Sequence, residues 1–176
     1  RGWKTKASLG IKLRVPLDPF LLFRAHKSTR LGDWKMRFAE TVFWFNSKGA
    51  GASSLLDFDY ALSDKWLFRS RTSELWTDFL DYHEAEQTFS LFHELSDRRA
   101  VSYTIGTLGI SEPTWHSTGH FVSLNYRQRI HRDWLFIELN PVVKYEKEND
   151  FEPEKLLIFK LEMVFGNKYV YRPDSD

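Results

Sequence analysis

The residues best equipped for chemistry lie in one short stretch, Trp115-His116-Ser117-Thr118-Gly119-His120. Two histidines four apart could share a face of a strand and hold a metal. A metal centre needs three or four ligands, however, and here Glu112 is the only nearby carboxylate and the chain has no Cys. In a loop over residues 111–119, with a glycine between them, the two imidazoles have no fixed geometry and read as exposed loop histidines. Ser117 and His120 also suggest a nucleophile and its base. Such a pair works only when a third group orients the base, and nothing in the sequence places one. His26, His83 and His93 sit in or beside strand-like runs and read as wall side chains; His131 belongs to a turn. The expectation is no enzyme, no metal and no cofactor.

The second chemically competent set is ionic. Lys12, Arg14, Arg24, Lys35, Arg37, Arg69, Arg71, Arg127 and Arg129 recur at alternate positions, as do Asp57, Asp59, Glu84, Glu86, Glu138, Lys160 and Glu162. Charges gathered on one face must find partners if that face is enclosed. Basic residues on the first three runs and the fifth, against acidic ones on the fourth and sixth, predict pairing between neighbouring strands. Arg127 and Arg129 are expected near Glu138, with Lys160 and Glu162 in the same cluster. Together with Asp57, Asp59, Arg69 and Arg71 they form the predicted charge network of an enclosed interior.

The elements that must position these groups are strands. Trp3, Thr5, Ala7, Leu9, Ile11, Leu13 and Val15 alternate with Lys4, Lys6, Ser8, Lys12 and Arg14, a period of two that a helix would scatter around its surface. Similar alternation gives about ten runs of roughly nine to thirteen residues, long enough for a tilted bilayer crossing. Residues 73–86 admit a helix on composition, but the alternation reads strand, loop, strand. Pro16 and Pro19 predict a sharp connection between the first two runs, residues 47–53 a Gly/Ser-rich loop, and Pro141 a bulge or local loss of pairing in the ninth run.

Four polar turns punctuate the runs: Leu31-Gly32-Asp33-Trp34, Leu62-Ser63-Asp64-Lys65-Trp66, Leu95-Ser96-Asp97-Arg98 and Ile130-His131-Arg132-Asp133-Trp134. Their aspartates are 31, 33 and 36 residues apart. They join runs two to three, four to five, six to seven and eight to nine, so all four fall on the side of the termini, and the longer connections fall on the other. Short turns at one end and longer loops at the other are the pattern of an up-and-down barrel crossing an outer membrane.

Composition narrows the function classes. Charged residues make up 28%, yet the net charge is +1, so the two signs are interleaved and no basic footprint for nucleic acid exists. No apolar stretch is long enough for a transmembrane helix, and a mildly negative mean hydropathy is what a wall with one polar face produces. Trp3, Trp34, Trp44, Trp66, Trp76 and Tyr145 fall near the ends of runs, where interfacial aromatics sit. The chain opens at Arg1 without a signal peptide, which reads as a mature or trimmed form or the C-terminal part of a longer protein.

The whole chain resembles the small monomeric outer-membrane β-barrels of Gram-negative bacteria. Its run Lys160-Leu161-Glu162-Met163-Val164-Phe165 is similar to the terminal strand by which the barrel-assembly machinery recognises its clients; it lacks the usual small central residue, and 11 residues follow Phe165. No motif resembles those of the outer-membrane phospholipase or the omptin-type proteases. The resemblance implies a closed antiparallel up-and-down transmembrane barrel over residues 1–166 with a tail over 167–176. It implies an outer-membrane location among lipid and lipopolysaccharide, and a role as anchor, scaffold or assembly component. A protein partner or an N-terminal domain outside this chain would complete such a role. The interior is expected to be filled by its own charges. Alternative readings are a narrow channel, a barrel enzyme acting on lipid or peptide, and a soluble lipocalin-like carrier.

Overall fold

A computed structural model describes residues 2–12, 18–47, 49–80, 82–112, 114–132 and 134–164. The expectations for Leu13 to Leu17, Pro113, Asp133, Phe165 and the tail lie outside these residues. The described chain is all-β: β1 (Lys4–Lys12), β2 (Asp18–Leu31), β3 (Trp34–Phe45), β4 (Gly49–Ser63), β5 (Trp66–Thr77), β6 (His83–Ser96), β7 (Arg99–Ser111), β8 (Trp115–His131), β9 (Leu135–Glu146) and β10 (Pro153–Met163). One 3-10 turn at Lys147–Asn149 precedes β10. The strands form a single antiparallel sheet in sequence order, an up-and-down meander of ten. Among the described residues β1 and β10 pair only with β2 and β9, so the sheet has two edges.

Registers place the alternating residues on two distinct faces. Ala7, Phe23 and Val42 lie side by side on one face, while Arg37, Asp57 and Arg71 do so on the other. A single sheet has no second layer to cover it, so burial on one face requires that the sheet curl toward that face. Asp57, Thr88 and Ser90 on the polar face are buried. The apolar face is open: Leu9 is 83% exposed, Phe159 65% and Leu157 69%. A hollow of about 930 Å³ lies at the tight-turn end and draws its lining from β4 through β9, which only a curled sheet allows. The polar face is therefore concave and the oily one convex.

Several local expectations change. Residues 49–53 belong to β4 rather than to a loop, because bulky neighbours fill the space their small side chains leave. Gly51 lies opposite Phe43, and a Cβ built there would stand 2.4 Å from the Phe43 ring and 2.8 Å from the Trp76 carbonyl. Residues 115–119 are likewise strand, with Trp115 lying against Gly109. Pro19 is the second residue of β2, at the strand's start, where proline is tolerated; its carbonyl accepts a hydrogen bond from Asn46 N at 3.0 Å. At Pro141 the expected local loss of pairing is found: the β8–β9 ladder skips Leu124 and Asn125 without changing register. Bulges sit instead beside three tight turns, at Leu62, Leu95 and Ile130, and in β7–β8.

Two aspartates fasten the end opposite the tight turns. Asp18 is 1% exposed and accepts from Ser47 N and Ser47 Oγ, both at 2.8 Å. Asp78 accepts from Ala50 N at 2.9 Å, and its own N–H donates to the Ala50 carbonyl at 2.9 Å. Gly49, with φ +73°, lies so close to Asp78 that a Cβ would overlap the carboxylate.

Candidate functional site

The concave face carries two charge clusters. In the first, Asp57 on β4 lies directly between Arg37 on β3 and Arg71 on β5. Arg71 donates through Nε at 2.7 Å and Nη2 at 3.2 Å, and Arg37 through Nε at 2.9 Å. One carboxylate thus bridges three strands. Two residues along, Arg69 grips Asp59 in a two-pronged contact at 2.6 and 2.9 Å. Fork-to-carboxylate pairing of this kind fixes both distance and orientation.

The second cluster joins β8, β9 and β10. Arg127 meets Glu138 at 2.7 Å and Glu162 at 2.8 Å. Lys160 stands 3.6 Å from Glu138 and 3.9 Å from Glu162. The Arg127 guanidinium also lies 4.5 Å from the centre of the Phe136 ring. Arg129, two residues along on the same face and lining the same hollow, lies opposite Phe136 and donates to the Asp97 carbonyl at 3.1 Å. The hollow is bordered by Arg127 and Glu138, and by Leu67, Phe92 and Ser102. What this arrangement does chemically is cross-link neighbouring strands and pair opposite charges on the concave side.

The histidine stretch acquires a geometry the sequence did not supply. A bulge between Ser117 and Gly119 turns the strand over, so His116 lies opposite Ile110 on the concave face and His120 opposite Thr107 on the apolar one. The pair cannot share a metal, and no group of three or more His, Cys, Asp or Glu among the described residues could hold one. Ser117 Oγ lies 3.4 Å from His120 Nε2 but also donates to the Leu108 carbonyl at 3.1 Å. The His120 ring has Phe151 at 6.0 Å, and among the described residues no carboxylate is hydrogen-bonded to it.

Residues that alternation alone did not single out lie on the apolar face. Ser54 donates to Glu40 at 2.8 Å, and Glu74 lies opposite Ser54 on the next strand. Thr72 is bonded to Gln87 at 2.5 Å, and Gln87 donates to Ser70 at 3.1 Å. Ser54 with Glu40, and Thr72 with Gln87, satisfy one another on a mainly apolar surface that also carries Lys27 and Lys155. Their only signal in the sequence is a polar residue at an apolar-parity position.

Compared with protein-family models the chain matches none, and no curated protein matches it.

Proposed function

We propose that this chain is an outer-membrane β-barrel that serves as an anchor, scaffold or assembly component, with its centre occluded by its own ion pairs. The observation that carries the reading is the division of faces. Large apolar side chains cover the convex side, where water would otherwise meet them, while Arg37, Asp57, Arg71, Arg127, Glu138 and Glu162 pair on the concave side. A water-soluble carrier requires the reverse arrangement, with oil inside and charge outside. Hydrocarbon is the solvent that tolerates this convex surface.

Two strands provide a ruler. Trp34 and Trp44 lie on β3, Trp66 and Trp76 on β5, each pair ten positions apart. At a tilt of about 40° this corresponds to roughly 25 Å along the membrane normal, the height of the apolar band between aromatic girdles. The occluded reading rests on the span of the Arg37–Asp57–Arg71 bridge across three adjacent strands, and on the narrowness of ten strands compared with the 16 or more of open porins.

The hollow at the tight-turn end favours a second reading, a narrow channel with this hollow as its vestibule. One pair of measurements tests both. The purified chain refolded with phosphatidylcholine vesicles is expected to float with them and to leave planar bilayers without conductance. Steady conductance would replace the scaffold with the channel, and a chain that stays behind without detergent would remove the membrane from the account.

A further inference from the structure

We propose that the hollow at the tight-turn end binds a single-chain amphiphile with an uncharged head, its chain on Leu67 and Phe92 and its head on Ser102 and Asn125. The inference goes beyond the scaffold reading and rests on the curl of the sheet rather than on the membrane. The hollow measures about 930 Å³, inside the range of roughly 300–1,000 Å³ that small-molecule pockets occupy. One row of the concave face runs through its wall. Asn125 on β8, Ser102 on β7, Phe92 on β6, Leu67 on β5 and Ala61 on β4 are successive partners across five strands. The β8–β9 register continues the row to Asn140.

This row carries no charge, although the concave rows on either side of it do. Asp59 and Arg69 lie on its loop side, and Glu94, Arg127 and Glu138 on its tight-turn side. The row has two halves. Ala61, Leu67 and Phe92 are apolar on a face that elsewhere on β4 and β5 carries Asp57, Asp59, Arg69 and Arg71. Neighbouring strands stand about 4.8 Å apart, so the apolar strip is roughly 10 Å long; same-face rows about 7 Å apart leave it the width of one alkyl chain. The other half is polar and neutral. Among the described residues the Ser102 hydroxyl and the Asn125 amide make no hydrogen bond, and Asn140 Oδ1 is a buried acceptor without a partner. The β8–β9 ladder is interrupted at Asn125, beside Pro141, whose nitrogen carries no hydrogen. A hydroxyl or amide head both donates and accepts, as these open groups require.

The charges around the hollow argue against an ionic head. Arg127 is engaged by Glu138 and Glu162, Arg69 by Asp59, and Arg129 by the Asp97 carbonyl. An anionic head would have to displace a carboxylate already in place. At the mouth the three cations Lys65, Arg98 and Arg99 are matched by the three acids Asp64, Glu94 and Asp97. Arg69 also lies 5.3 Å from the centre of the Phe92 ring, which leaves the rest of that ring to the hollow. Water would satisfy Ser102 and Asn125 but leave Leu67 and Phe92 wetted, whereas an alkyl chain removes that apolar surface from water.

The test uses the full chain in phosphatidylcholine vesicles and 1-monodecanoylglycerol carrying a photoactivatable diazirine at the end of its chain. After irradiation, peptide mapping is expected to find label on Ala61, Leu67 or Phe92, and excess unlabelled monodecanoylglycerol is expected to suppress it. Decanoate, with the same chain and a carboxylate head, is expected to compete about tenfold less well. Asn125→Leu keeps the bulk and removes the amide; it is expected to raise the competing concentration about tenfold. Ser102→Trp fills the hollow and is expected to abolish the suppressible label. Label on Leu157 and Phe159, which the competitor leaves unchanged, reports that each variant is folded with its convex face in lipid. Label confined to the convex face, or inner label that no competitor suppresses, overturns the site. Equal competition by decanoate overturns the uncharged head, and suppressible label that survives Ser102→Trp overturns the placement. A chain that stays out of the vesicles loses the membrane reading, while the same labelling carried out in buffer still decides the site.

Discussion

Asp57 faces two guanidinium groups, so the sheet's dependence on it can be judged by what its removal leaves behind. Replacing it by Asn removes the negative charge but keeps the shape, and Arg37 and Arg71 then confront each other across β4 as like charges. Breaking a buried pair is costly because the surviving charges stay desolvated; both arginines retain partial solvent access, which moderates the loss. Asp57→Asn is expected to lower stability by about 2–3 kcal/mol in urea unfolding from vesicles. Asp59→Asn, which removes the Arg69 fork at a more exposed carboxylate, is expected to cost less. At the opposite end, Gly49→Ala forces a side chain onto positive φ and into Asp78. A loss of about 1–3 kcal/mol is expected, with amide exchange quickening first at Ala50 and Asp78. The histidines illustrate what residue types alone cannot convey. Ser117 and His120 do meet, while His116 is turned to the other face by one extra residue in the strand, a bulge that no sequence pattern announces.

At the scale of the elements, period-two alternation and the four polar turns made the ten strands, their order and their two faces legible. Those signals are local: each hairpin register follows from its own turn and from which parity is oily. The glycine-containing segments at residues 49–53 and 115–119 were not legible. Small residues signal a loop in isolation, and they become strand only because Phe43 and Trp115 fill the space over Gly51 and Gly109. Glu40, Ser54, Thr72 and Gln87 were missed because they are single polar residues at apolar positions, and their mutual hydrogen bonds depend on the register of neighbouring strands. Arg127, Glu138 and Glu162 could be grouped in advance because they share parity on three consecutive strands; Arg129 shares that parity and also donates to the Asp97 carbonyl. A prediction belongs here. Gly51→Val must displace the Phe43 ring and the backbone carbonyl of Trp76, and is expected to destabilise by about 1–3 kcal/mol. Combining it with Phe43→Ala should restore part of the loss, since the ring is half of the obstruction, whereas Phe43→Ala alone should be destabilising.

For the molecule as a whole, the account stands or falls on which solvent meets which face. The ten-stranded sheet has paired charges on its concave side and leucine and phenylalanine on its convex side, and the proposed reading gives the convex side to hydrocarbon. The decisive measurement is a scan of β10 by single cysteines carrying spin labels, in the chain reconstituted into phosphatidylcholine vesicles. Positions 157, 159 and 161 are expected to collide readily with dissolved oxygen, which concentrates in hydrocarbon. Positions 158, 160 and 162 are expected to be shielded from it, giving an accessibility that oscillates with a period of two residues. The contrary result is a label at position 159 that is accessible to an aqueous nickel chelate, or a chain that dissolves as a monomer without detergent while positions 160 and 162 face bulk water.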